Sequence, residues 1–134
     1  MRIDVSAAAL WQAIGDFGAA CQYLAMVVNC SAAGTGVGAV RTLTYADGSV
    51  ITERLEVLDE AAHRLSYALL TDTPFRDCLT TVTVHDLGPG QCELAWSAIF
   101  EANGLPVGEA QEMLEGALEL NSRALQRYIT ASAP

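Results

Sequence analysis

Residues Gly108–Thr130 read GEAQEMLEGALELNSRALQRYIT, and this stretch decides the fold. Its apolar positions are Ala110, Met113, Leu114, Ala117, Leu118, Ala124, Leu125 and Tyr128. They recur at helical spacing and make one broad face, which predicts a long amphipathic helix. Such a helix must bury its stripe, and the available partner is the sheet formed by the middle of the chain. A sheet that curls around one long helix leaves a pocket between them, suited to a small hydrophobic or aromatic molecule.

Working back toward the N-terminus, Asn103-Gly-Leu-Pro106 separates this helix from a strand over Cys92–Glu101. Leu94, Trp96, Ala98 and Phe100 share one face of that strand. Gly88-Pro-Gly90 marks a turn, preceded by a Thr- and Val-rich strand over Cys78–His85. Asp72-Thr-Pro74 interrupts the pattern, and Arg64–Leu70 alternates Leu65, Tyr67 and Leu69 with Ser66 and Ala68. Val50–Leu58 and Ala39–Tyr45 are two strands joined at Asp47-Gly48, a strong hairpin signal. Gly34-Thr-Gly-Val-Gly38 lacks the G-x-G-x-x-G order and precedes a strand, so it reads as a turn and not a dinucleotide loop. Met26–Cys30 is a further short strand. A second helical turn is expected around Ala20–Leu24, and Ser6 caps a first helix through Leu10, Trp11, Ile14 and Phe17. Arg2–Val5 is a short first strand.

Length and composition narrow the function. The 134 residues make a single domain, 1–134, large enough for a core without metals or disulfides. Hydrophobic residues are 51% of the chain, which excludes disorder. The net charge is -9, from 7 Arg and no Lys against 16 acidic residues. No basic surface is available for phosphates, so neither nucleic acid nor an anionic membrane is an expected partner. Apolar runs are too short to span a bilayer. No secretory leader is legible, so the expected location is cytoplasmic. The four cysteines, Cys21, Cys30, Cys78 and Cys92, have no C-x-x-C spacing and are expected to be free thiols. His63 and His85 are isolated, and neither a metal site nor a cofactor is expected.

A two-residue turn at Asp47-Gly48 would pair Thr44 with Ile51, Thr42 with Glu53 and Val40 with Leu55. That register puts Val40, Thr42, Thr44, Ile51, Glu53, Leu55 and Val57 on the interior face, with Arg41, Leu43, Tyr45, Thr52, Arg54 and Glu56 outside. Glu53 is then the leading candidate for chemistry. An unpaired carboxylate on an apolar face has a raised pKa and suits general acid or base work. Alternatively, Glu53 pairs with an arginine or lies at an open edge. Tyr67 shares the face and offers a hydroxyl to a ligand or to Glu53, or is an ordinary core tyrosine. Trp96 and Phe100 form apolar walls. Asn121 interrupts the stripe between Leu118 and Leu125, so its amide either points into the cavity or caps a loop. Thr42 is a further ligand-facing candidate.

Several short runs carry a resemblance: Gly38-Ala-Val-Arg41-Thr-Leu, Asp47-Gly48, Glu53-Arg54-Leu55-Glu56, Leu65-Ser66-Tyr67 and Trp96-Ser97-Ala-Ile-Phe100. With the element order, this resembles bacterial polyketide cyclase/dehydrase-like proteins of the START/Bet v 1 (SRPBCC) superfamily, over Arg2 to about Ile129. The resemblance implies an α+β helix-grip fold, a curved antiparallel sheet wrapped around the long C-terminal helix. It departs from the pattern at the start, where Ser6-Ala7 stands in place of a proline found in many relatives. Cyclases, lyases, lipid or metabolite carriers and co-chaperones all occur in that superfamily. The expected function is a cyclase, dehydratase or lyase-like enzyme, with a carrier or sensor and an interaction module as alternatives. In the enzyme, Glu53 moves the proton and Tyr67 or Asn121 holds a carbonyl oxygen.

Overall fold

Seven antiparallel strands form one open, curved sheet in the order β1-β7-β6-β5-β4-β3-β2. They are β1 (Arg2–Ile3), β2 (Val27–Ala33), β3 (Val40–Tyr45), β4 (Val50–Asp59), β5 (Arg64–Leu69), β6 (Phe75–Asp86) and β7 (Cys92–Ala102). Between β1 and β2 lie helix α1 (Ala7–Gly15) and a 3₁₀ segment (Phe17–Gln22), and the chain ends in α2 (Val107–Ser132). This helix-grip architecture is described by a computed structural model over residues 1–71 and 73–132. The sequence break expected at Asp72 falls outside those residues.

Local chemistry sets the element ends. Ser6 accepts a hydrogen bond from the Ala9 amide and caps α1. Pro106 precedes α2, and its carbonyl accepts the Ala110 amide. The core joins Leu10, Ile14 and Phe17 to Leu65, Val82, Val84 and Leu94 of the sheet and to Leu125 and Ile129 of α2. Burial of this kind contributes about 1.5–3 kcal/mol per large side chain.

The hairpin between β3 and β4 departs from the expected register. Tyr45 is opposite Ser49: its amide donates to the Ser49 carbonyl, and its own carbonyl accepts the Gly48 amide. The loop therefore has three residues, with Gly48 at φ +88° closing it as a bulge. Asp47 supports the turn by accepting from the amide and hydroxyl of Ser49. Thr42 now pairs with Thr52, and Arg41 with Glu53. Side chains alternate along a strand, so this shift turns every β3 side chain over. Arg41 and Leu43 are buried inside, and Thr42 is on the opposite face from Glu53. On β4, Glu53 and Leu55 face inward as expected, but a bulge between Leu55 and Val57 leaves Val57 exposed and packs Leu58 on the core instead.

Helix α2 also differs from expectation. Ala110, Leu125 and Ile129 are buried, but Met113, Ala117 and Leu120 are exposed. Its 26 residues extend about 39 Å. The α1–3₁₀ layer backs only its C-terminal half, where Tyr128 packs on Tyr23 and donates to Gln22 Oε1. In the N-terminal half Ala110 is buried, whereas Leu114 and Leu118 are only half-buried. No helix among the described residues is long and apolar enough to cross a membrane.

Cys21 and Cys30 form a disulfide that ties the 3₁₀ segment to β2, with Cα atoms 5.5 Å apart. This corrects the expectation of four free thiols. The 3₁₀ segment folds back onto β2 and closes the gap, an approach that residue spacing does not reveal. Cys78 and Cys92 are free and buried.

Candidate functional site

Arg41 is the centre of the buried polar cluster. Its Nε donates to Glu53 Oε1 at 2.8 Å and its Nη1 to the Phe17 carbonyl at 3.3 Å. The guanidinium carbon lies 4.1 Å from the Phe17 ring centre and 4.5 Å from that of Tyr67. A cation between two aromatic rings keeps part of its stabilisation when water is removed. On the far side of Tyr67, the phenol oxygen accepts the Trp96 indole N–H at 3.1 Å. Glu53, Arg41, Tyr67 and Trp96 therefore form a chain of contacts across the inner face from β4 to β7.

Burial governs how these groups titrate. It pushes Glu53 above the ordinary carboxylate range, and the attraction and hydrogen bond of Arg41 offset only part of that rise. The other carboxylate oxygen, Oε2, accepts no hydrogen bond among the described residues. Tyr67 is raised by burial and next by the charge of Glu53, so it remains a neutral phenol at ordinary pH. Burial likewise raises Tyr23 and Tyr45, with Glu53 adding to both.

Two spaces meet at Trp96. The inner one, bounded by Ile14, Tyr23, Arg41, Leu65, Tyr67, Val82 and Trp96, is a cavity of about 10 Å³, no larger than one water. The outer one is a groove of about 510 Å³ between β7 and the N-terminal half of α2. Trp96, Ala98 and Phe100 form its floor, and Leu114 and Leu118 its roof. Gln111 and Glu115 lie at its margin. The expected internal cavity is thus nearly filled by side chains, and the usable volume is an open groove. Phe100 is braced edge-on by Phe75, 5.4 Å between ring centres.

Asn121 faces a separate hollow of about 290 Å³ with Ala25, Met26, Tyr45 and Leu120. Its Oδ1 accepts the Ala25 amide at 3.0 Å, so it caps the loop before β2 and stays apart from Glu53. Thr42 is not part of the cluster, because the three-residue hairpin loop turned it to the other face. Arg41, Phe17 and Tyr23 were not anticipated by residue number. The signal for Arg41 is the loop length at Asp47-Gly48, which sets which β3 residue opposes Glu53.

The sequence matches the family model described as polyketide cyclase/dehydrase and lipid transport over residues 1–130. The chain belongs to this family. Among solved structures, this cyclase/dehydrase-family chain is similar to a protein of uncharacterised function from Bacillus thuringiensis. The two are 28% identical with a TM-score of 0.86, over 97% of this chain and 95% of that one. It also shares its fold with a START superfamily protein from Mycobacterium smegmatis, at 16% identity and TM-score 0.85 over 99% and 95% of the two chains. Norcoclaurine synthase from Thalictrum flavum, solved with dopamine and hydroxybenzaldehyde, is 16% identical with a TM-score of 0.80, over 100% and 85%. No curated protein sequence matches this family member.

Proposed function

We propose that the chain binds a small, mostly apolar ring compound in the groove between α2 and the inner face of β7. The groove volume carries this reading. About 510 Å³ suits a molecule of two or three rings, and the floor of Trp96, Ala98 and Phe100 is apolar. The polar groups behind Trp96 are Tyr67 and Arg41, and Glu53 lies one contact further in, paired to Arg41.

A second reading, acid–base catalysis of the cyclase or dehydratase kind on a carbonyl compound, rests on Glu53. Its Oε2, which accepts no hydrogen bond among the described residues, and its raised pKa suit a group that shuttles a proton, and Tyr67 would steady the carbonyl oxygen. A carrier would need the groove but not Glu53.

Binding is tested with a neutral aromatic fluorophore, N-phenyl-1-naphthylamine, titrated into native protein. Saturable uptake is expected, and Ala98→Phe, which fills the floor, should weaken it more than it lowers the melting temperature. Native protein without saturable uptake would overturn the groove reading in favour of an interaction module. Glu53→Gln separates enzyme from carrier: an enzyme loses turnover and keeps uptake.

A further inference from the structure

Trp96 lines both the open groove and the 10 Å³ inner cavity. Its indole N–H is committed to the Tyr67 hydroxyl at 3.1 Å. Next to it on the same strand face is Ala98, a small side chain that leaves the groove side open for the indole to swing into. Behind the indole, Tyr67 and Arg41 are buried and held in place. Arg41 is fixed by Glu53, the Phe17 carbonyl and two rings, so the movable wall of the inner space is Trp96.

We infer that Trp96 is a specificity-determining door, and that the space behind it is a subsite for the hydroxyl-bearing end of an aromatic ligand. This rests on the groove being the binding site. When the indole swings away, the Tyr67 oxygen loses its donor in a dry environment. A bare hydrocarbon ring entering the space leaves that oxygen unpaired, whereas a phenol or enol hydroxyl replaces the indole N–H. The site therefore selects for an aromatic ligand carrying a hydroxyl donor over the same ring without one. The discrimination expected from an unpaired buried oxygen is about tenfold or more in Kd.

The test compares 2-naphthol with naphthalene by calorimetry, with the Trp96 indole N–H followed by NMR. Wild-type protein is expected to bind 2-naphthol about tenfold or more tightly than naphthalene, and the indole resonance should shift on binding 2-naphthol. Tyr67→Phe should abolish the preference while both compounds still bind. Trp96→Phe keeps an aromatic plane but removes the N–H latch, and should bind both compounds more tightly than wild type does. Should Trp96→Phe fail to fold, Tyr67→Phe and the wild-type indole resonance carry the decision. Equal affinities in wild type, a preference that survives Tyr67→Phe, or an unmoved indole resonance would overturn the subsite and leave the groove reading standing. Failure of wild type to bind either compound would overturn both.

Discussion

Arg41 and Glu53 face each other directly across β3 and β4, joined Nε to Oε1 at 2.8 Å, with only 3% and 13% of their side chains exposed. The two are unequally bound. Arg41 also donates to the Phe17 carbonyl and packs on two aromatic rings, whereas among the described residues Glu53 is hydrogen-bonded to Arg41 alone. Removing either partner should therefore have different consequences.

Glu53 sets a pH dependence whose sign follows from its raised pKa. The unfolded chain ionises this group near 4.5, the folded chain at a higher pH. The folded state thus holds the proton more tightly, and stability is greatest below the unfolded value. It falls as pH climbs from there through the folded pKa. Glu53→Gln should remove that fall, so its urea midpoint at pH 7 should equal or exceed that of wild type. A variant midpoint that drops at pH 7 would show that attraction by Arg41 outweighs burial.

Arg41→Met should be the more damaging change. It leaves Glu53 buried without its counter-charge and removes the tie to the 3₁₀ segment. A loss of about 3–5 kcal/mol is expected near neutral pH, shrinking below pH 4, where Glu53 is protonated. Arg41→Lys should not restore stability, because a compact ammonium cannot reproduce the planar contact with two rings. Urea unfolding of both variants at pH 4 and pH 7 checks this.

Leu118 and Leu125 lie on one helical stripe but have different surroundings. Leu125 is fully buried in the core, and Leu118 is the half-buried roof of the groove. Leu125→Asp should cost several kcal/mol, on the order of 3–5, as an unpaired buried charge. Leu118→Asp should lower the melting temperature much less and yet abolish uptake of an aromatic fluorophore. Equal destabilisation by the two would mean that α2 is seated along its whole length.

The disulfide between Cys21 and Cys30 closes a short loop. In the chain-entropy account, a loop of this size stabilises by about 2–3 kcal/mol. Cys30→Ser should lower the melting temperature accordingly, and reductant should lower the wild-type value without affecting the variant. Alkylation after unfolding without reductant should label two thiols, Cys78 and Cys92, and four labelled thiols would refute the bond.

The sequence by itself determined the element order, the amphipathic character of α2, the inward facing of Glu53 and Leu55 on β4, and the shared face of Leu94, Trp96, Ala98 and Phe100. These depend on periodicity and capping, which act between near neighbours along the chain. Tertiary structure decided the rest. A single residue more in the loop at Asp47-Gly48 replaced Thr42 by Arg41 opposite Glu53, because side-chain facing has a period of two and any slip inverts it. The disulfide depended on how the 3₁₀ segment docks on β2. The place of the groove depended on which half of α2 the α1 layer supports, so Ala117 and Met113 stayed in solvent while Leu125 was buried. Contacts between segments distant in sequence follow from docking and loop length, and local pattern carries neither.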